Sequence, residues 1–238
     1  MFAYDAQLAA ATQTPPQSIP GVLQLMQTMD ITCVAGDGLK WFNWLYLQVT
    51  QAVEDRVAAG GFSDSAWLAE LDVQFARLYF DALHAALSGA PCPGCWDAMF
   101  SCRNQSPIAR IQFALAGLNA HINHDLALAI VATCKARNTA LQLGTPQYRD
   151  YTSINDTLNG LIDVAKQTLH VRLLGDALPP VSHLEDLIAA WNLAAARDNA
   201  WNIAESLWQD SAVATEILMD SIDGLTTVIG KALLVPVP

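Results

Sequence analysis

Five of the seven residues from Asn119 to Asp125 (Asn-Ala-His-Ile-Asn-His-Asp) are polar, and they interrupt an otherwise apolar run from Ile111 to Ala136. Ahead of them the chain reads Ile-Gln-Phe-Ala-Leu-Ala-Gly-Leu, and behind them Leu-Ala-Leu-Ala-Ile-Val-Ala. A helix apolar on nearly every side belongs inside a core. Imidazole, carboxamide and carboxylate groups placed there need partners, because each one left unsatisfied costs about 1–3 kcal/mol. So dense a cluster marks a candidate site. On a wheel of about 100° per residue, His121, His124 and Asp125 share a face, while Asn119 and Asn123 fall opposite with Gln112. His121 and Asp125 are one turn apart and can converge on a single atom. Three chemistries fit. His-x-x-x-Asp is a workable arm for a divalent metal such as Zn, Mn or Fe. The same pair without metal is a general base and its orienter, or part of a polar ligand site. The third use is a buried hydrogen-bond network that fixes helix register, for which Asn119 and Asn123 offer both donors and acceptor.

A complete metal site in a bundle needs a second arm from another helix. In the stretch from Ala66 to Leu87, Gln74, Arg77, Asp81 and His84 share a face, with Asp81 and His84 at i and i+3. The metal reading therefore takes His121, Asp125, Asp81 and His84 as ligands. His124 completes the site, and Asn119 and Asn123 hold its geometry. The plainer reading of the second face is that it meets water. Arg77, one turn before Asp81, is also placed to pair with it. Farther along, Trp201 and Trp208 stand seven apart on one face of a helix that also carries Trp191. Core packing is the favoured use for them. The alternative is an aromatic wall for a hydrophobic ligand, with Arg197, one turn before Trp201, as the charge that orients it. Cys92-Pro-Gly-Cys95 is a C-x-x-C, but no strand precedes it as a thioredoxin-like unit requires, and it lacks a second C-x-x-C for zinc. The pair reads as loop cysteines, and Cys33 and Cys134 as small core residues. No Walker loop, dinucleotide fingerprint, nucleophile elbow or H-E-x-x-H is present.

The elements that must position these residues are helical. Ser106-Pro107 suits the opening of one helix from Ile111 to Ala136. Asp37-Gly38 marks a turn before an amphipathic stretch from Leu39 to Val57, in which Trp41, Trp44, Leu45, Gln48 and Val49 recur at helical spacing. Gly60 and Gly61 end it, and Ser63 or Asp64 caps the helix that follows. Further helices are expected from Ile19 to about Met29, Asp150 to Leu174, Ser182 to Trp208, and Ala212 to Leu234. The Ser182 helix opens on a capping-box spacing, Ser182-His-Leu-Glu185, and the last one is interrupted at Gly224 or Gly230. Residues 1–18, with Pro15 and Pro16, read as an extended N-terminal arm after a short helix. No alternating strand pattern, hairpin signal or solenoid repeat occurs. The expected fold is all-α: a single compact bundle of about seven or eight helices over 1–238, around a buried central helix.

Hydrophobic residues make up 53% of the 238 and charged ones only 15%, which suits a core-rich globular chain and excludes a disordered one. A net charge of -11 argues against nucleic acid or an anionic membrane as partner. Met1-Phe-Ala-Tyr-Asp5 shows no basic segment followed by an apolar run, and no uninterrupted apolar stretch of about 18 residues occurs. A cytoplasmic location without a membrane span is expected.

Several segments together resemble an uncharacterised, mostly bacterial helical family, a domain of unknown function. They include Asp37-Gly-Leu-Lys-Trp-Phe-Asn-Trp44, Leu71-Asp-Val-Gln-Phe-Ala-Arg77, Asp150-Tyr-Thr-Ser-Ile-Asn155, and above all Asn119-Ala-His-Ile-Asn-His-Asp125. The resemblance runs from about Ile19 to Trp208 and implies one domain; it brings no activity with it. A His-x-x-x-Asp arm is also similar to that of helical zinc phosphodiesterases of the phospholipase C kind, but those need far more His and Asp ligands than a chain with five His supplies. The residues themselves support an enzyme, a hydrolase or lyase, with its site at His121, His124 and Asp125 and one divalent metal as the candidate cofactor. The alternative is a non-catalytic helical module that binds a partly hydrophobic small molecule, with the polar cluster structural.

Overall fold

The structure is a computed structural model and describes residues 1–174 and 192–236. Among the described residues every regular element is a helix, as expected. They run α1 (Asp5–Thr12), α2 (Ile19–Thr32), α3 (Gly38–Ala58), α4 (Ser65–Leu87), α5 (Gly94–Phe100), α6 (Arg110–Ala120), a π-helical turn (His121–Asp125), α7 (Leu126–Arg137), α8 (Pro146–Leu174), α9 (Leu193–Gln209) and α10 (Ala212–Leu233). The boundaries have local causes. Ser18, Asp37, Asp64, Asn192 and Ser211 each accept a first-turn backbone N–H and so cap α2, α3, α4, α9 and α10. Asn138 enters the left-handed region at φ 50 and ends α7.

Three boundaries depart from the sequence reading. The central helix begins at Arg110, not at Ser106-Pro107, because residues 106–109 turn before it. The short N-terminal helix expected ahead of Pro15 and Pro16 is α1, and it is docked: Leu8 is buried, and the Ala9 carbonyl bonds His84 Nδ1 at 2.9 Å. The helix expected from Ser182 begins at Leu193, because Asn192 has extended backbone and caps it. The Ser182 capping box and Trp191 lie outside the described residues. Helix α10 runs unbroken through Gly224 and Gly230.

Two apolar clusters form the interior. One gathers α1, α2, α3 and the C-terminal half of α4 with α5 and α6. The other gathers the start of α4 with α7, α8 and α9. The central segment crosses from one to the other. Ala120 packs in the first cluster and Ile122 in the second, so the π turn lies on their seam. Arg103 ties the N-terminus to the first cluster through Asp5 at 2.8 Å and the buried Asp37 at 2.6 Å. Helix α10 is bolted along the central segment by carboxamides. Asn123 Nδ2 donates to Asn119 Oδ1 at 3.0 Å, Asn119 Nδ2 to the Thr226 carbonyl at 2.9 Å, and Gln112 Nε2 to the carbonyls of Leu233 and Val235, each at 2.7 Å. Cys33 and Cys134 are buried core residues, as expected.

Candidate functional site

The π turn is what gathers the chemistry. Leu126 N–H reaches back five residues to the His121 carbonyl, so the ladder is locally wide, a departure that recurs at functional sites. An ideal wheel puts His121, His124 and Asp125 on one face; the structure does more and joins them. Asp125, 1% exposed, accepts from His121 Nδ1 at 3.0 Å and Trp96 Nε1 at 3.0 Å on Oδ2, and from His124 Nδ1 at 2.7 Å on Oδ1. Burial works against its charge, but the two imidazoles outweigh burial and hold its carboxyl below the usual range. Since a carboxylate only accepts, both rings carry the Nδ1 proton, and in a neutral ring Nε2 is then an acceptor.

His121 is held from every side. Its ring stacks on Phe75 with centroids 3.4 Å apart and meets the edge of Tyr46 at 4.5 Å and Phe42 at 5.7 Å. Burial pushes its basicity below the ordinary value, against the pull of Asp125. The ring is therefore neutral at physiological pH, and its Nε2 is buried with no hydrogen-bond partner among the described residues.

That ring lines a cavity of about 80 Å³ on the seam between the two clusters. Thirteen of its seventeen lining residues are aliphatic or phenylalanine, and the other four are His121, Tyr46, Asp72 and Arg197. Asp72 Oδ2 is buried without a hydrogen-bond partner among the described residues. Burial, with the charge of Glu54 added, pushes the Asp72 carboxyl up to about 7. The Tyr46 phenol lies beside the Thr50 hydroxyl but makes no well-formed hydrogen bond. Burial and the charges of Asp72 and Asp125 keep it protonated. Arg197, 5% exposed, spends its guanidinium on neutral groups: Nε donates to Asn155 Oδ1 at 2.7 Å and Nη2 to the Tyr151 carbonyl at 2.8 Å, with the Tyr151 ring 4.2 Å away. Among the described residues no carboxylate forms an ion pair with it, and burial pulls its basicity down.

On the other side of the dyad, His124 meets two residues distant in sequence. One ligand atom each of Cys95, His124 and Asp223 all lie within 4.8 Å of one another. Asp223, from α10, accepts from the backbone N–H of Gly94 at 2.8 Å and of Cys95 at 2.9 Å, and so caps α5 from outside. Burial disfavours the His124 cation, but Asp125 and Asp223 outweigh it and raise its basicity.

Of the residues singled out by sequence, His121, His124 and Asp125 come together, and Arg197 joins His121 at the cavity wall. Asp81 and His84 do not join them: Asp81 is exposed, with the charges of Arg77 and His84 near it, and His84 is engaged with α1. The four expected ligands are therefore not one cluster among the described residues. Arg77 is not among the cavity's lining residues. Trp201 is fully packed against Trp67, Tyr148 and Tyr151 and does not line the cavity either, while Trp208 is 40% exposed. Asn119 and Asn123 fasten α10. Sequence reasoning missed Tyr46, Asp72 and Asp223, and set Cys95 aside as a loop cysteine, where the structure places it buried in α5. Asp72 carried a usable signal, since it stands on the same face as Leu68, Leu71, Phe75 and Tyr79; Asp223 carried none.

The sequence matches the model of a family of unknown function (DUF5995) over residues 19–236. No curated protein and no solved structure matches the chain.

Proposed function

This chain belongs to DUF5995, a family of unknown function, and from its geometry we propose that it is an enzyme whose His121 removes a proton from a small, mostly apolar carbonyl compound. The observation that carries this reading is a buried imidazole with Nδ1 fixed to an ionised Asp125 and an unpartnered Nε2, on the wall of an apolar cavity. A buried, unsatisfied acceptor costs about 1–3 kcal/mol, so a bound molecule that supplies the missing hydrogen offsets a standing penalty. Among the described residues no Ser, Cys or Lys side chain lines the cavity, which favours proton transfer over a covalent acyl route. Arg197 brings a buried cation without an ionic partner among the described residues and suits a substrate carboxylate. Asp72, whose carboxyl is pushed up to about 7, keeps a protonated fraction at neutral pH, and in that form suits the carbonyl oxygen as a hydrogen-bond donor.

In this reading His121 Nε2 takes the proton from the carbon next to the carbonyl. The C–H electron pair moves into the carbon–carbon bond, and the carbonyl pair onto its oxygen, giving an enolate that Asp72 stabilises. Return of the proton, or loss of a leaving group one carbon on, completes an isomerase or lyase reaction. The test is exchange of the C3 protons of 4-methyl-2-oxopentanoate in D2O, followed by proton NMR. Wild type is expected to accelerate exchange, and His121→Ala to slow it by about 10²-fold or more, with Asp81→Ala unchanged. Saturable binding without exchange, across a panel of short 2-oxo acids, would overturn catalysis in favour of a non-catalytic module for hydrophobic small molecules.

A further inference from the structure

We propose that Cys95, His124 and Asp223 form a binding site for a zinc-type divalent ion, with three protein ligands and a fourth position open. A sulfur, an imidazole nitrogen and a carboxylate oxygen on three different elements have their ligand atoms within 4.8 Å of one another. This mixed set suits zinc or cobalt better than magnesium or calcium, which prefer oxygen alone. Metal bonds of about 2.0–2.3 Å place tetrahedral ligands roughly 3.3–3.8 Å apart, a spacing that atoms already within 4.8 Å of one another approach.

Each ligand is already held. His124 donates Nδ1–H to Asp125 at 2.7 Å, which leaves Nε2 for the ion. A carboxylate behind a ligating histidine fixes ring orientation and raises basicity, and its loss typically weakens binding about 10–100-fold. Asp125 is itself fixed by Trp96 Nε1. Asp223 is aimed by the two amides at the start of α5, and each of its oxygens keeps a further lone pair. Cys95 is 1% exposed and in no disulfide. On metal binding its thiol proton leaves to solvent and the thiolate takes its place on the ion. An α5 cap supplied by Asp223 alone would not require a thiol and an imidazole to converge on the same carboxylate. The site differs from the His121, Asp125, Asp81 and His84 set expected from sequence, and it stands whether or not His121 is a base.

The test uses the full chain, freed of metal by dialysis against a chelator and titrated with Co²⁺. The expected result is a thiolate-to-cobalt charge-transfer band that saturates at one equivalent and is displaced by Zn²⁺. Cys95→Ser should abolish the band, Asp223→Asn should weaken binding about 10-fold or more, and Cys92→Ser should leave both unchanged. Asp223→Asn keeps a carboxamide oxygen for the α5 amides, so it remains decisive if Cys95→Ser does not fold, as circular dichroism will show. Absence of the band in wild type overturns the proposal. So does its survival in Cys95→Ser, or an unaltered affinity in Asp223→Asn.

Discussion

A carboxyl on the apolar face of α4 sets a measurable cost. Asp72 is pushed up to about 7 by burial first and by Glu54 second. Below about 7 the folded chain therefore holds a proton that the unfolded chain releases near the ordinary carboxylate value. Stability attributable to Asp72 is complete at acid pH, falls as pH rises across the interval up to about 7, and is flat above it. Asp72→Asn cannot ionise. It should remove that slope from a plot of Tm against pH between about 4 and 7, and raise Tm at pH 8 by a few degrees, at about 2–4 °C per kcal/mol for a chain of this size. Calorimetric scans at half-unit steps check this; an unaltered slope would mean that Asp72 is solvated in the native state. If His121 is the proposed base, the same substitution should slow proton exchange, because the residue that costs stability lines the same cavity. Asp72 was legible in principle, as a charge spaced one turn from Leu68 and Phe75. His121, His124 and Asp125 were legible because polar side chains concentrated in an apolar run have few uses. Cys95 and Asp223 were not, since 128 residues separate them and only the docking of α10 on α5 makes them neighbours.

At the level of elements, apolar periodicity located the helices because burying one face is what each of them does, and the cap read at Ser63 or Asp64 placed the start of α4 within a residue or so. What periodicity cannot carry is a change of pitch. A wheel assumes 3.6 residues per turn, and the π turn from His121 to Asp125 departs from it. The close approach of α3 to α6 was equally hidden. A Cβ at Gly117 would stand 2.3 Å from the Phe42 ring, and Phe42 packs in turn on Trp96, Tyr79 and His121. Gly117→Ala is expected to push Phe42 into that cluster rather than to stabilise the helix. Overpacking of this kind costs about 1–3 kcal/mol, against a helix-propensity gain of up to about 1 kcal/mol. Urea unfolding should show a lower midpoint with unchanged slope, and proton exchange should fall with it because His121 shifts. A rise in midpoint would show that α3 yields freely, and that the aromatic packing does not position His121.

At the scale of the molecule, the cavity is a consequence of packing the helices around two apolar clusters. Leu45 and Val53 reach it from one cluster, and Leu68, Leu71, Ile122, Leu126, Ile154 and Leu158 from the other. Helices that satisfy two separate interiors do not also interdigitate perfectly along the seam. The central segment crosses there and brings His121 with it, so the cavity and the imidazole on its wall share one cause. At about 24 cal/mol per Å³, a void of about 80 Å³ costs about 2 kcal/mol. Val53→Ile adds one methylene to that space. It should recover a few tenths of a kcal/mol and raise Tm by about 1–2 °C, while weakening binding of 4-methyl-2-oxopentanoate measured by titration calorimetry. Stability and function then move in opposite directions at a single residue, the trade expected where a fold keeps a void for use. Were Val53→Ile to lower Tm and leave binding untouched, the seam would be already filled, and the unpartnered atoms of His121 and Asp72 would have to find their partner elsewhere.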